Sequence, residues 1–250
     1  MPYTGNKRSE CEDILKVCEF ENITTIVEPF CGSCAFSFYI ASLFPKKFKY
    51  ILNDNCEQLI NIMKIMKDEN KYNEFKKDLR EKIKEIKEKK DYDRIIKENN
   101  LISWFIKNKF YNIRPGLYAP NKKMILYDDD KYEIIKFLRT ENIELVSGCG
   151  KELIERIKDD TDKLIFIDPP YLSTVNHFYE NAKTNIYEYL YLNNPINFKS
   201  KMVFALEDIW ITRLLFKDLI NNNNYQTKDK QYQTSKKKTT HIYFNNKKIS

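Results

Sequence analysis

The sequence predicts an α/β protein built on a mostly parallel, doubly wound sheet. Short runs rich in apolar and β-branched residues indicate buried strands. These runs lie at residues 24–27, 50–52, 143–146, 164–167, 202–206 and 241–244. Segments with helical periodicity, such as 57–66 and 151–157, separate several of them. This alternation is typical of parallel sheets, which bind their ligands at the carboxyl ends of the strands.

A highly charged segment interrupts the rhythm between residues 67 and 99. Apolar residues recur there at steps of three and four, while Lys and Glu fill most other positions. These apolar residues are Tyr72, Phe75, Leu79, Ile83 and Ile86. The pattern predicts one amphipathic helix with a packed stripe and a solvated face. We expect a helical insertion at residues 63–127, while residues 1–62 and 128–250 form the sheet domain.

Positive charge is concentrated toward the end of the sequence. The formal net charge is +7, and residues 219–250 hold seven lysines against one acid, Asp229. A basic stretch suits a polyanionic partner, because each neutralised phosphate releases condensed counterions. A solvated tail without a partner is the equally open alternative.

The cysteines predict reduced thiols. The six residues lack the regular spacing of a small secreted scaffold, and a chain of this length folds without disulfides. Cys31 and Cys34 form a CxxC without a second such pair, and His177 and His241 lie far along the chain, so we predict no metal site.

Nothing in the sequence indicates a membrane or secretion signal. Residues 1–12 are polar, and no apolar stretch approaches membrane-spanning length. We expect an intracellular, cytoplasmic protein without membrane contact. The sequence contains no signal for a particular oligomeric state.

The tetrapeptide Asp168-Pro169-Pro170-Tyr171 follows a predicted strand directly and is the strongest chemical signal. The amine of adenine is a poor nucleophile because its lone pair is delocalised into the ring. An Asp carboxylate and a prolyl carbonyl can accept both amine hydrogens, and Tyr offers a flat face to an extruded base. An ordinary proline-rich turn at the end of a strand is the alternative.

A glycine turn after the first predicted strand is the second signal. Gly32 lies between that strand and an apparent helix, where a nucleotide-like cofactor can approach the backbone. Asp54 ends the next strand about 20 residues further on, as expected of a ribose-binding acid. A plain turn, with Asp54 capping the following helix, is the structural alternative. No Pro-Cys dipeptide occurs, which argues against cytosine C5 chemistry through a thiolate adduct.

Four motifs together resemble the Dam-type N6-adenine DNA methyltransferases, particularly the short enzymes of bacteriophages. In the family's order they are Tyr3-Thr4-Gly5-Asn6-Lys7, Glu28-Pro29-Phe30-Cys31-Gly32, Leu52-Asn53-Asp54, and Asp168 to Tyr171 continuing into Leu172, Thr174 and Val175. The resemblance implies a class I S-adenosylmethionine methyltransferase sheet, Rossmann-like, with an inserted helical target-recognition subdomain.

The resemblance also implies roles for individual residues. Those at S-adenosylmethionine would be Tyr3, Lys7, Phe30, Gly32, Asp54 and Asp168, and those of catalysis Asp168, Pro169, Pro170 and Tyr171. Asn112, Arg114 and Pro120 would belong to a base-reading hairpin. Arg114 suits a guanine edge, with a simple phosphate contact as the alternative. From the basic stretch we add Lys236, Lys237 and Lys238 as nucleic-acid contacts.

The sequence departs from the family at three places. Cys34 replaces a second glycine, the stretch from Arg114 to Pro120 is shorter than the family's hairpin, and Glu207 and Asp208 stand where a Ser-Asn pair is usual.

We expect methyl transfer to N6 of a flipped adenine in double-stranded DNA. Two alternatives stay open: an amine methyltransferase acting on cytosine N4 or RNA, and a catalytically silent nucleic-acid-binding relative or regulatory subunit.

Overall fold

The computed structural model describes residues 9–109, 116, 118, 133–171, 186–222, 225–231 and 238–246. Within these residues the chain forms two compact units, one comprising Cys56–Thr140 and the other residues 9–55 together with 141–246. The functional division expected at residues 63 and 127 stays a prediction, and residue 127 lies outside the described part.

The second unit contains the sheet. Its strands are β1 (Thr25–Glu28), β2 (Lys49–Asp54), β3 (Asn142–Ser147), β4 (Lys163–Ile167), β5 (Lys201–Glu207), β6 (Gln226–Gln231) and β7 (Lys238–Asn245). Their order is β3-β2-β1-β4-β5-β7-β6. The five strands from β3 to β5 run parallel, whereas β7 is antiparallel to both β5 and β6. The α/β, Rossmann-like prediction is confirmed.

Helices cover both faces of this sheet. Those of the sheet unit are α1 (Cys11–Leu15), α2 (Ala35–Leu43), α8 (Gly150–Ile157), α9 (Ile186–Asn193), α10 (Trp210–Leu215) and α11 (Lys217–Asn222). Side chains of α8, α9 and α11 share a core cluster with Ile165. The next residue, Phe166, stacks on Phe36 of α2 with ring centroids 4.2 Å apart. Because neighbouring side chains of a strand point to opposite faces, β4 is buried on both sides, which explains its continuous apolar run.

The helical unit has five described helices. They are α3 (Glu57–Lys67), α4 (Glu69–Lys84), α5 (Lys89–Ile95), α6 (Leu101–Lys109) and α7 (Glu133–Thr140). The stripe of α4 is buried as expected at Tyr72, Phe75 and Leu79, and the ring of Phe75 meets that of Phe105 edge-on at 5.5 Å. None of the helices in the described residues is long and apolar enough to span a bilayer.

The single helix expected across residues 67–99 is wrong. Asp68 begins a new helix, because its side chain accepts a hydrogen bond from the backbone N–H of Lys71. The carboxylate of Asp91 accepts from the backbone N–H groups of Lys87 and Glu88 at 3.1 and 3.2 Å. Those contacts start α5 and separate it from α4.

Candidate active site at the carboxyl edge of the sheet

The strand order places a topological switch point at β1. From β1 the chain continues to β2 and β3 on one side, and it then crosses to β4 and β5 on the other side of β1. Such a switch point leaves an open crevice at the carboxyl ends of the strands, where doubly wound folds bind ligands. Strand β1 leads there into Phe30 and Gly32, β2 ends at Asp54, and β4 leads into Asp168.

The loop after β1 is fixed by contacts from its own helix and from β2. Buried Glu28 accepts a hydrogen bond from the backbone N–H of Ser37 at 2.8 Å. The backbone N–H of Cys31 donates to the carbonyl of Asn53 at 2.8 Å. Gly32 has a φ of 47°, a left-handed conformation that glycine adopts without the steric cost of a side chain. The turn therefore favours glycine at this position.

Cys34, the first departure from the family, also lies in the left-handed region. Its φ is 57°, and it is the N-cap residue of α2. This conformation costs a residue with a side chain about 1 kcal/mol, a physical reason for the glycine usual there. Cys31 and Cys34 are both buried, and burial raises the pKa of the Cys31 thiol well above its ordinary value. The pair is therefore a poor source of thiolate at neutral pH.

None of the six cysteines forms a disulfide in the structure, and their reduced state stays a prediction. Among the residues that the structure describes, no cluster of three or more His, Cys, Asp or Glu side chains could hold a metal ion.

Asp54 joins the end of β2 to the glycine turn. Its carboxylate accepts a hydrogen bond from the backbone N–H of Gly32 at 3.0 Å, and the residue is 7% exposed. Its backbone carbonyl accepts from the N–H of Gly148 at 3.1 Å. The N-cap residue of the next helix, α3, is Cys56 rather than Asp54. A buried carboxylate beside a glycine turn has the chemistry needed to accept hydrogen bonds from ribose hydroxyls.

Asn53 and Gly150 also shape the crevice, and sequence reasoning assigned them no role. The amide of Asn53 donates to the carbonyls of Pro29 and Gly148 at 2.8 and 3.0 Å, which ties the loops after β1 and β3 together. A Cβ atom on Gly150 would lie 2.6 Å from the Phe30 ring and 2.7 Å from the Pro29 carbonyl oxygen. Asn53 belongs to the motif Leu52-Asn53-Asp54, so its sequence context could have indicated a role. The close approach at Gly150 is visible only in the fold.

The predicted catalytic tetrapeptide leaves the carboxyl end of β4. Pro169 is buried, whereas Asp168, Pro170 and Tyr171 are half-buried. The hydroxyl of Tyr171 lies 3.4 Å from Oδ1 of Asp168, to which it donates. This segment therefore presents a carboxylate, a prolyl carbonyl and an aromatic ring at one edge of the sheet.

The end of β5 adds two acids, Glu207 and Asp208, to this edge. Buried Tyr187 has a raised pKa, chiefly through burial and further through the negative charges of Asp168 and Glu207. Its hydroxyl therefore stays protonated. Asp208 forms a two-pronged ion pair with Arg213, at 2.6 and 2.8 Å, and this contact raises the pKa of Arg213. The negative charge of Asp208 is thus balanced by Arg213.

A buried hydrogen-bond network at β7 lies next to Tyr171. Nδ1 of His241 lies 2.5 Å from Oε2 of Glu10, and the Tyr243 hydroxyl donates to the same oxygen at 2.6 Å. The ring of His241 also contacts the ring of Tyr171. Sequence reasoning noted His241 only as a residue far along the chain and missed Glu10, because 231 positions separate the two.

Several predicted site residues lie outside the described part of the chain. They are Tyr3, Lys7, Asn112, Arg114, Pro120, Lys236 and Lys237. Lys238 begins β7, but its side chain is not described. The structure pairs Gly32 with Asp54 and Asp168 with Tyr171, whereas the proposed DNA contacts stay predictions.

Comparisons with solved structures give two distant similarities. A human methyltransferase 10 domain containing protein superposes with a TM-score of 0.43 at 8% identity, over 96% of this chain and 80% of that one. A Listeria monocytogenes protein, described as a class I S-adenosylmethionine-dependent methyltransferase, gives 0.39 at 8% identity, over 93% of this chain and 57% of its own. At such low TM-scores neither similarity bears on function. No curated protein sequence matches the chain.

A family comparison is more informative. Residues 3–115 match the family described as D12 class N6 adenine-specific DNA methyltransferase. The matched range includes Gly32 and Asp54, and Asp168 lies beyond it. An enzyme that methylates adenine in DNA, as predicted, is supported by this match. Residues 3–115 are thus similar to the D12 class N6 adenine-specific DNA methyltransferases, in agreement with the family resemblance recognised from the sequence.

Proposed function

We propose that the chain binds S-adenosylmethionine at the β1 crevice and methylates N6 of an adenine rotated out of double-stranded DNA. The observation that carries this proposal is the position of Asp168 to Tyr171 at the end of β4, beside the strand whose loop binds Asp54. The family match supports adenine in DNA as the substrate. The cofactor, the duplex and the residue roles are the proposed part.

The residues at the ends of β1 and β2 fit the cofactor. Gly32 keeps the turn free of a side chain, and the buried carboxylate of Asp54 can accept from ribose hydroxyls. Phe30, half-buried against Gly150, would border the cofactor. When bound, S-adenosylmethionine supplies an activated methyl group. Tyr3 and Lys7 would enclose it from the N-terminal segment.

The residues after β4 would hold the base. The carboxylate of Asp168 and the carbonyl of Pro169 accept the two hydrogens of the adenine amine, which draws electron density toward its nitrogen and orients its lone pair. The ring of Tyr171 provides the stacking surface, and Pro170 keeps the turn rigid. The hydroxyl of Tyr171 lies 3.4 Å from Oδ1 of Asp168, so this surface lies beside the carboxylate.

Recognition of DNA is proposed for the remaining predicted residues. Residues 63–127 would form the target-recognition insertion, with Asn112, Arg114 and Pro120 near the bases, and residues 1–62 and 128–250 the catalytic domain. Lys236, Lys237 and Lys238 would contact phosphates. A basic stretch supplies affinity without sequence information, whereas arginine can read guanine in the major groove.

Labelled S-adenosylmethionine and duplex DNAs of varied sequence test this function. After incubation, the DNA is digested and the labelled nucleoside identified. We expect N6-methyladenine. Label in N4-methylcytosine, or transfer to RNA alone, would show the rival amine methyltransferase. No transfer, with no heat of binding on titration with S-adenosylmethionine, would show a silent relative.

A further inference from the structure

Three buried polar side chains, two on β7 and one at the start of α1, lie outside the residues assigned to cofactor or base. This β7 cluster consists of Glu10, His241 and Tyr243, which are 1%, 0% and 0% exposed. Oε2 of Glu10 accepts from the Tyr243 hydroxyl at 2.6 Å and lies 2.5 Å from Nδ1 of His241. Buried acids and imidazoles are costly unless they interact, and apolar residues of similar size are often as stable. Stability alone is therefore a weak reason for this cluster.

The β7 cluster contacts the proposed stacking surface directly. The ring of His241 meets that of Tyr171 edge-on, with centroids 5.0 Å apart and planes at 64°. Edge-to-face contact is a favoured geometry for aromatic pairs. The hydroxyl of Tyr171 donates to Asp168. Tyr171 is thus held at its ring by His241 and at its hydroxyl by Asp168.

We propose that Glu10 and His241 are positioning residues for base methylation. Glu10 fixes the imidazole ring, and that ring sets the plane of Tyr171 on which the adenine stacks. A tilt of the Tyr171 plane would move the amine away from Asp168, and small misplacements of reacting groups slow reactions strongly. The inference rests on the proposed function, since it assigns the plane of Tyr171 a task.

A merely structural tie between the N-terminal segment and β7 is the competing explanation, and Asn245 provides the control for it. Its buried amide donates to the carbonyl of Val17 at 3.0 Å, so it joins the same strand to the same segment. In the β5–β7 pairing, however, Asn245 faces Val203 near the start of β5, whereas His241 faces Glu207 at the carboxyl edge. Asn245→Ala therefore removes a hydrogen bond between β7 and the N-terminal segment at the end of the sheet remote from Tyr171.

The test combines His241→Asn with Tyr171→Ala. The Asn amide can still bind Glu10, but the ring that contacts Tyr171 is lost. Methyl transfer is measured in a single turnover on a DNA that the wild type methylates, and folding is checked by thermal unfolding. We expect His241→Asn to slow transfer about tenfold alone, yet less than about twofold in the Tyr171→Ala background, because coupled residues are non-additive. Asn245→Ala should stay within about twofold of wild type, since distant sites act independently.

The outcomes separate this inference from the proposed function. Equal slowing in both backgrounds, or equal slowing by Asn245→Ala, overturns the positioning role and leaves the function intact. A wild type that transfers no methyl group to adenine overturns both. If His241→Asn does not fold, Glu10→Gln takes its place with the same expectations. This variant preserves the side-chain shape and still accepts from Tyr243, but it loses the charge opposite His241.

Discussion

Gly150→Ala should damage the cofactor crevice by steric overlap, without removing a polar group. The added methyl would lie 2.6 Å from the Phe30 ring and 2.7 Å from the Pro29 carbonyl oxygen. A phenyl ring can turn, but a backbone oxygen moves only with its loop, so the loop after β1 must shift. Overpacking of this kind costs about 1–3 kcal/mol. Alanine in place of glycine at the first position of α8 returns up to about 1 kcal/mol. We therefore expect a net loss of about 1–2 kcal/mol.

For a chain of this length such a loss lowers the melting temperature by about 2–8 °C. Because Phe30 and Gly32 share the displaced loop, S-adenosylmethionine should also bind about tenfold more weakly, a cost of about 1.4 kcal/mol. Thermal unfolding and calorimetric titration measure the two effects. Gly148→Ala is the matched control, since its Cβ would meet its nearest neighbour, the Asn53 side-chain oxygen, at an ordinary 3.7 Å. Equal behaviour of the two variants would refute the reasoning.

Three further predictions follow from the site. Asp54→Ala should weaken S-adenosylmethionine binding about tenfold or more, because hydrogen bonds to a charged group are worth about 1.5–3 kcal/mol; unchanged binding on titration would remove Asp54 from the cofactor site. In the native protein at pH 8, Cys31 should be alkylated far more slowly than half-buried Cys149, since burial raises the Cys31 pKa and so lowers its thiolate fraction; mass spectrometry of labelled peptides gives both rates, and equal rates would contradict the burial. DNA affinity should fall steeply as salt rises, because lysines near the C-terminal end release counterions; a flat response in filter binding would exclude them from the interface.

The sheet could be predicted because each buried strand corresponds to a short run of apolar residues in the sequence. Five of the six apolar runs fall wholly within strands, and the run at 24–27 begins one residue before β1. The strand β6 was missed because its residues, Gln-Thr-Lys-Asp-Lys-Gln, are polar, and its pairing with β7 at the edge of the sheet does not depend on apolar burial. The break between α4 and α5 was missed because the carboxylate of Asp91, rather than Gly or Pro, starts the second helix.

The candidate site was predictable where its chemistry is local. Asp54 and Asp168 each follow a run that the sequence identifies as a strand, so their place at the carboxyl edge followed from the topology. Glu10 and His241 could not be found in this way, because their contact depends on the packing of the N-terminal segment against β7. The close approach at Gly150 likewise exists only between folded loops.

The central claim is that the carboxylate of Asp168 activates the adenine amine, and one comparison tests it most directly. Methyl transfer and DNA affinity are measured side by side for the wild type and Asp168→Ala, on a duplex that the wild type modifies. The account predicts N6-methyladenine from the wild type, transfer slowed at least about a hundredfold in the variant, and DNA affinity nearly unchanged. Near-normal turnover by Asp168→Ala would contradict it.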